Sequence, residues 1–255
     1  QAAAIALISQ HQAVLAALPN TVIGLAIRAA ASARVPLVDL TLPPEAERDE
    51  LRQVIEANGA LYVPGCGVEP GLTEIMARCL AEKLDRVDEL HIKCGGIPEN
   101  PAPPLGYKIV FGGRQLPLRE QDGYCVENGQ LTSVPRYSGV ELTTFATVGE
   151  CEAWHDTFMP WLLELDALQG LKIGTQKTVR WPGYAAKVTV LKELGLLSHT
   201  PIEIAGAMVA PKTFLDTLLY PQVRLEEGEH DITVLRVDTI GEKDHQLQQL
   251  RIDMV

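Results

Sequence analysis

The chain has no basic run, no C-x-x-C pair, no G-x-G-x-x-G turn, no P-loop and no apolar stretch long enough to span a bilayer. Each absence removes a class. Without clustered Lys and Arg, and with a formal net charge of −11 over 255 residues, the chain is not expected to bind nucleic acid, because a polyphosphate backbone demands a basic face. Five scattered cysteines without metal-like spacing read as reduced thiols. No metal site is expected from them or from the dispersed histidines. The opening "QAAAIALISQHQ" has no basic region ahead of its apolar residues and does not read as a signal peptide. A cytoplasmic protein without a membrane partner is the expectation. The lack of G-x-S-x-G or Walker signatures leaves hydrolase and kinase readings unsupported.

What is present alternates. Gln1 to Gln10 reads as the last turns of a helix, "AVLAALP" as a strand, "TVIGLAIRAAASAR" as a helix and "VPLVDLT" as a second strand. "PPEAERDELRQVIEANG" is a polar-faced helix with prolines at its start and a glycine after its end, and "ALYVPG" is a third strand. Apolar strands separated by helices predict a parallel sheet covered on both faces. The order also implies that the listed sequence enters a Rossmann-type domain partway, after the glycine turn that would cradle a pyrophosphate. After residue 71 the pattern changes. "LTEIMARCLAEKL" spaces Leu72, Ile75, Met76, Cys79, Leu80 and Leu84 for one helix face. Short strands with turn signals follow, including a hairpin at Asn128-Gly129, then a helix over Tyr184 to Leu197 and two strands around a turn at Gly241 to His245. The fold class is therefore α/β, Rossmann-type and partial, over residues 1–70. It joins an α+β substrate and dimerisation domain with a mainly antiparallel sheet over 71–255, part of 184–220 being expected to pack back on the first domain.

Glycine density singles out one turn. Gly65, Gly67 and Gly71, with Pro64 and Pro70 between them, stand where the third strand hands over to a helix. At the carboxyl end of a parallel strand such a turn predicts a backbone kept close to a ligand, with the helix amides offered to a carboxylate or phosphate and Gly71 making room. Glu69 either caps this helix or binds a substrate amino group. Asp39 ends the second strand on the same edge, where a carboxylate attracts an ammonium or caps the next helix. Asn20, after Leu18-Pro19, is a helix N-cap by propensity. In the second domain Gly95 and Gly96 suggest close backbone approach. Tyr107 either bonds substrate or wedges the core, and Trp181 and Tyr184 shape a pocket. Arg180 is the best anchor for a substrate carboxylate because a guanidinium grips it at two points, with Lys177 second.

Several segments in one order, "AALPNTVIGLAIRAAASARVPLVDLT", "PGCGVEPGLTEIMAR", "KCGGIPENPAPPLGYKIVF", "KTVRWPGYAAKVTVLKELGLL" and "VLRVDTIG", resemble the saccharopine dehydrogenase-like family along essentially the whole chain. The similarity is greatest to its lysine 6-dehydrogenase branch. The resemblance implies an NAD(P)-dependent oxidoreductase acting on the CH–NH group of a small amino-acid substrate, with NAD or NADP as cofactor; a homodimer through the β-rich second domain is expected because antiparallel sheets can pair at exposed edges. It implies that Leu18, Pro19 and Asn20 pass beside the nicotinamide ribose and that Gly67 and Pro70 contact the cofactor. Asp39 and Glu69 would be the catalytic carboxylates, while Gly71, Gly95, Gly96, Tyr107 and Arg180 would hold substrate. A saccharopine-forming reductase, needing two further carboxylate anchors, and a non-catalytic binding or dimerisation protein are the alternatives.

Overall fold

The computed structural model describes residues 1–109 and 113–255, with every side chain among them except that of Asn20. Part of the segment "IVFGGRQLPLRE", expected to be strand-like, thus lies outside the described residues. Two compact units result, Gln1–Ile75 and Met76–Val255. No helix among the described residues is long and apolar enough to cross a membrane.

The first unit runs α1 (Ala2–Ile8), β1 (Val14–Ala16), α2 (Asn20–Ala33), β2 (Leu37–Asp39), α3 (Glu45–Asn58) and β3 (Tyr62–Val63), and ends in the first residues of α4 (Leu72–Ala81). The strands pair in parallel in the order β1-β2-β3. Apolar spacing on α2 and α3 buries Ile23, Ile27, Ala30 and Leu51 against Ala16 and Leu37, with Ile8 of α1 joining them. All three helices therefore pack on one face of the sheet. Side chains alternate across a strand, so the neighbours point the other way, and Leu15 and Val63 are 67% and 39% exposed. The expectation of cover on both faces is corrected: one face is covered. Gly59 closes α3 in the left-handed region at φ 59°, the conformation that glycine adopts without steric cost.

The second unit begins within α4. Its buried positions are Thr73, Met76, Ala77, Leu80 and Ala81, with Leu84 just beyond the helix, while Ile75 and Cys79 are exposed. The helix is thus rotated from the expected face, because small Ala77 and Ala81 permit closer packing than the bulkier Ile75 side. Then come β4 (Arg86–Pro98), β5 (Gly123–Glu127), β6 (Gln130–Val134), β7 (Glu141–Phe145), β8 (Gly149–His155), β9 (Ile173–Arg180), α5 (Tyr184–Glu193), β10 (Ile202–Ile204), β11 (Ala207–Val209), α6 (Pro211–Val223), β12 (Asp231–Lys243) and β13 (Gln246–Met254). The main sheet has the order β13-β12-β4-β9-β5-β6, with β7 and β8 attached through β9. Only β4 and β9 pair in parallel; the other pairs are antiparallel. Asn128 and Gly129 turn the β5–β6 hairpin with φ of 51° and 79°, the conformation that two-residue hairpins favour. The last turn is tighter than expected, at Asp244-His245, and Gly241 lies inside β12 at a register shift.

Candidate functional site

In the first unit the strand ends carry the candidates. Leu18 and Pro19 follow β1 and are exposed, and the Pro19 carbonyl accepts the amides of Val22 and Ile23 as α2 begins. Asn20 opens that helix; its side chain lies outside the described residues.

Asp39 requires a correction. It is fully buried, and its Oδ1 accepts the Thr41 amide at 2.9 Å and the Thr41 hydroxyl at 3.0 Å, while Oδ2 accepts the Tyr62 hydroxyl at 2.9 Å. Burial, followed by the bond to Asp39, pushes the Tyr62 phenol well above its ordinary range. The carboxylate fastens β2 to β3 and to the following turn rather than presenting itself to a ligand's ammonium.

The glycine turn is corrected in the same sense. Gly71 has φ +136°, and a Cβ there would fall 2.2 Å from the Gly67 carbonyl oxygen. A Cβ on Gly67 would fall 2.6 Å from the Leu40 carbonyl oxygen. These glycines let backbone meet backbone, which accounts for Gly67 and Gly71 without a ligand. The amides at the start of α4 are also taken. Gly71 N donates to Glu74 Oε2 at 2.5 Å, Leu72 N to the Gly67 carbonyl at 2.9 Å and Thr73 N to the Val68 carbonyl at 3.1 Å. Gly67 N donates to the Pro70 carbonyl at 2.9 Å, so the polar groups proposed for cofactor at Gly67 and Pro70 serve the turn itself. Glu74 is the residue that sequence reading passed over. Three positions after the cap glycine, it reaches back to the cap amide as a capping box does, and Gly71-x-x-Glu74 was the available signal. Glu69 lies half-buried in this turn.

In the second unit, Gly95 is also explained by backbone approach: a Cβ would fall 2.2 Å from the Val179 carbonyl oxygen of β9. Gly96 is a strand residue opposite Thr233 of β12. Lys177 is committed as well, donating to the Gly139 carbonyl and to Glu141 Oε1, each at 2.7 Å.

Arg180 and Tyr107 do come together. Arg180 ends β9, is 5% exposed, and places its guanidinium 4.7 Å from the Tyr107 ring centre and 5.7 Å from that of Tyr184. Its Nη1 donates to the Val179 carbonyl at 2.7 Å. Among the described residues no carboxylate pairs with it, and its buried Nε has no partner. The Tyr107 hydroxyl is likewise buried and makes no well-formed hydrogen bond, although the Arg180 guanidinium lies near enough to it to favour the phenolate. Burial raises its pKa above the ordinary phenol value, so it stays protonated and able to donate. Trp154, unremarked in the sequence, stacks on Tyr184 with ring centres 6.3 Å apart and also leaves a buried N–H without a partner. Tyr184 starts α5, where the buried Glu152 accepts the Gly183 and Ala185 amides at 2.7 and 2.5 Å. Trp181 donates to the Pro98 carbonyl at 2.8 Å. A buried cation is normally paired or given away to pKa shift, and guanidinium cannot deprotonate. Aromatic faces supply part of the missing stabilisation; an anion would supply the rest.

A parallel α/β unit with exposed strand ends, followed by a mixed-sheet unit holding an uncompensated arginine, defines a two-unit protein of the open-sheet class, whose ligands gather at strand carboxyl ends. Residues 67–255 match the family model described as the saccharopine dehydrogenase C-terminal domain. Apo saccharopine dehydrogenase (L-Glu forming) from Saccharomyces cerevisiae has the same fold, with a TM-score of 0.78 at 16% identity over 99% of this chain and 72% of that one. A probable dehydrogenase from Thermotoga maritima gives a TM-score of 0.44 at 11% identity, over 98% of this chain and 60% of that one. The chain belongs to the saccharopine dehydrogenase family. Its class is accordingly that of the oxidoreductases.

Proposed function

We propose that the chain serves an NAD(P)-dependent oxidation at the CH–NH group of an amino acid, in the manner of lysine 6-dehydrogenase. The observation that carries this reading is the buried Arg180 guanidinium, without a carboxylate partner among the described residues and beside a Tyr107 hydroxyl that makes no well-formed hydrogen bond. Arg180 Nε and the Tyr107 O–H are two donors for one carboxylate, a charge-assisted seat that fixes which end of the substrate enters first. The other arginine and lysine side chains buried in this unit, Arg136, Lys177, Lys212 and Arg236, each have an acidic partner. A single unpaired guanidinium favours a substrate with one carboxylate over saccharopine, whose extra carboxylates would need further anchors.

The exposed Leu18-Pro19 turn after β1 fits the nicotinamide end of the cofactor, because the strand end is open and its helix start follows directly. The nicotinamide, when bound, would supply the hydride acceptor for the amine-bearing carbon. This chain's residues hold the substrate and remove a proton. The substrate ammonium must lose a proton before hydride departs, leaving an imine that water then hydrolyses. A carboxylate or an ordered water is proposed to take that proton, Asp39 being occupied by Thr41 and Tyr62.

Replacing Arg180 with methionine tests the reading. Loss of a charge-assisted pair, about 1.5–3 kcal/mol, should raise KM by roughly ten- to a hundredfold. The melting temperature should hold or rise, since a buried charge without a counter-ion is removed. A fall in stability with unchanged KM would make Arg180 a structural residue and sink the proposal.

A further inference from the structure

The opposite face of the main sheet holds a second polar site. Side chains alternate along β9, so Lys177 projects from the face opposite to Arg180. On that face the register aligns Arg236 of β12 with Lys93 of β4 and Lys177 of β9, and the next row aligns Asp238, His91 and Thr175. The sheet curls here. Arg236 reaches from β12 to the Thr143 hydroxyl and the Thr144 carbonyl of β7, both at 2.9 Å. The curl encloses Ile97, Phe145, Cys151, Val179 and Val234 in an apolar cluster. At its open mouth lies a cavity of about 250 Å³, lined by Lys93, Lys177, Glu141, His91, Asp238 and Arg251 among others.

The charges in this mouth are unevenly satisfied. Lys177, 8% exposed, is fully engaged with Gly139 and Glu141. Among the described residues, Lys93 has only Glu141 Oε2, at 3.5 Å, as an ionic partner. Arg251 uses Nε alone, donating to Asp238 Oδ1 at 2.6 Å, which leaves its two terminal nitrogens for a ligand. Asp238 is 2% exposed and has an oxygen, Oδ2, that takes no bond from the described residues. His91 is held between Glu89 and Thr175, at 3.0 and 2.8 Å. The cavity therefore brings donors of positive charge and a buried carboxylate oxygen together in one lining. A simple anion would satisfy the first and be repelled by the second. A zwitterion satisfies both.

We propose that this mouth binds a free α-amino acid, its carboxylate on Lys93 and the terminal nitrogens of Arg251, its ammonium on Asp238 and Glu141. The site lies on the sheet face opposite to Arg180 and is separate from it. At about 250 Å³ the cavity is small and open, with room for a molecule no larger than a single amino acid such as glutamate or lysine.

Calorimetric titration with L-glutamate and L-lysine, carried out on the Arg180→Met chain, isolates this seat from the substrate seat. At least one of the two should still bind with a stoichiometry near one. Lys93→Met and Arg251→Met, each in that background, should weaken it by about ten- to a hundredfold, the loss of one charge-assisted pair. Glutarate or 1,5-diaminopentane, which each lack one of the two charges, should bind at least about tenfold more weakly than the matching amino acid. Arg251 is half-exposed, so its variant folds even where Lys93→Met does not. Absence of binding in the Arg180→Met chain, affinity unmoved by both substitutions, or single-sign ligands equal to the amino acid would each overturn the proposal. None of these outcomes depends on whether Arg180 holds a substrate.

Discussion

Gly71→Ala separates backbone strain from ligand space at a single residue. At φ +136° an L side chain is strained, and its Cβ would have to push the Gly67 carbonyl away from 2.2 Å. Sparsely populated backbone angles cost about 1–3 kcal/mol each, so urea unfolding of the variant should show at least that loss in the first unit. Substrate KM should stay close to that of the unsubstituted chain wherever the variant remains folded. Intact stability with weakened binding would restore the ligand-space reading. The glycines were legible as a special turn, since three within seven residues beside two prolines signal an unusual backbone. Their reason was not legible, because the atoms they avoid belong to Leu40 and Gly67 carbonyls brought there by folding. Asp39 shows the same limit. Its place at the end of "PLVDL" could be read, but its three bonds come from Thr41, two residues on, and from Tyr62 on the neighbouring strand. Arg180 was legible by type; its stacking between Tyr107 and Tyr184 required the fold.

At the scale of elements, local signals located what local chemistry decides. Pro44 and Gly59 bracket α3, and Asn128-Gly129 closes the β5–β6 hairpin, as their backbone preferences dictate. Strand β8 was passed over because "GECEAWH" carries two glutamates in a seven-residue stretch. Glu152 is nevertheless buried, being spent on the amides that start α5. Another element-level device was invisible in sequence. Lys212 and Asp216, one turn apart on α6, form a buried pair at 2.6 Å and together hold both backbone groups of Leu116, the Lys212 ammonium on its carbonyl and Asp216 on its amide. This pins the segment around Leu116 against α6, with Leu116 and Leu118 in the same core cluster as Tyr107. Removing one partner of a buried pair strands the other, so Asp216→Ala should cost about 3–5 kcal/mol in urea unfolding. The double substitution Lys212→Met with Asp216→Leu should cost markedly less. A double variant as unstable as the single one would show that the pair's hydrogen bonds to Leu116, rather than its charges, carry the stability.

For the whole molecule, the homodimer expected from the sequence is best placed along the free edge of β13. That strand ends the main sheet, runs nine residues from Gln246 to Met254, and among the described residues pairs only with β12. Its outer N–H and C=O groups are a ready template for another strand. A net charge of −11 repels a second copy at long range, yet β13 itself carries one arginine and one aspartate, Arg251 and Asp253, so association there meets no local repulsion. Two copies related by a two-fold axis would pair β13 antiparallel and continue one sheet across both. Lysines introduced at Gln246 and Gln248 would then add two positive charges from each copy along the new strand pair, where like charges across paired strands are destabilising. Analytical ultracentrifugation at micromolar concentration should show a dimer for the native chain and a monomer with unchanged circular dichroism for Gln246→Lys with Gln248→Lys. A native monomer, or a dimer indifferent to both lysines, would remove β13 as the contact.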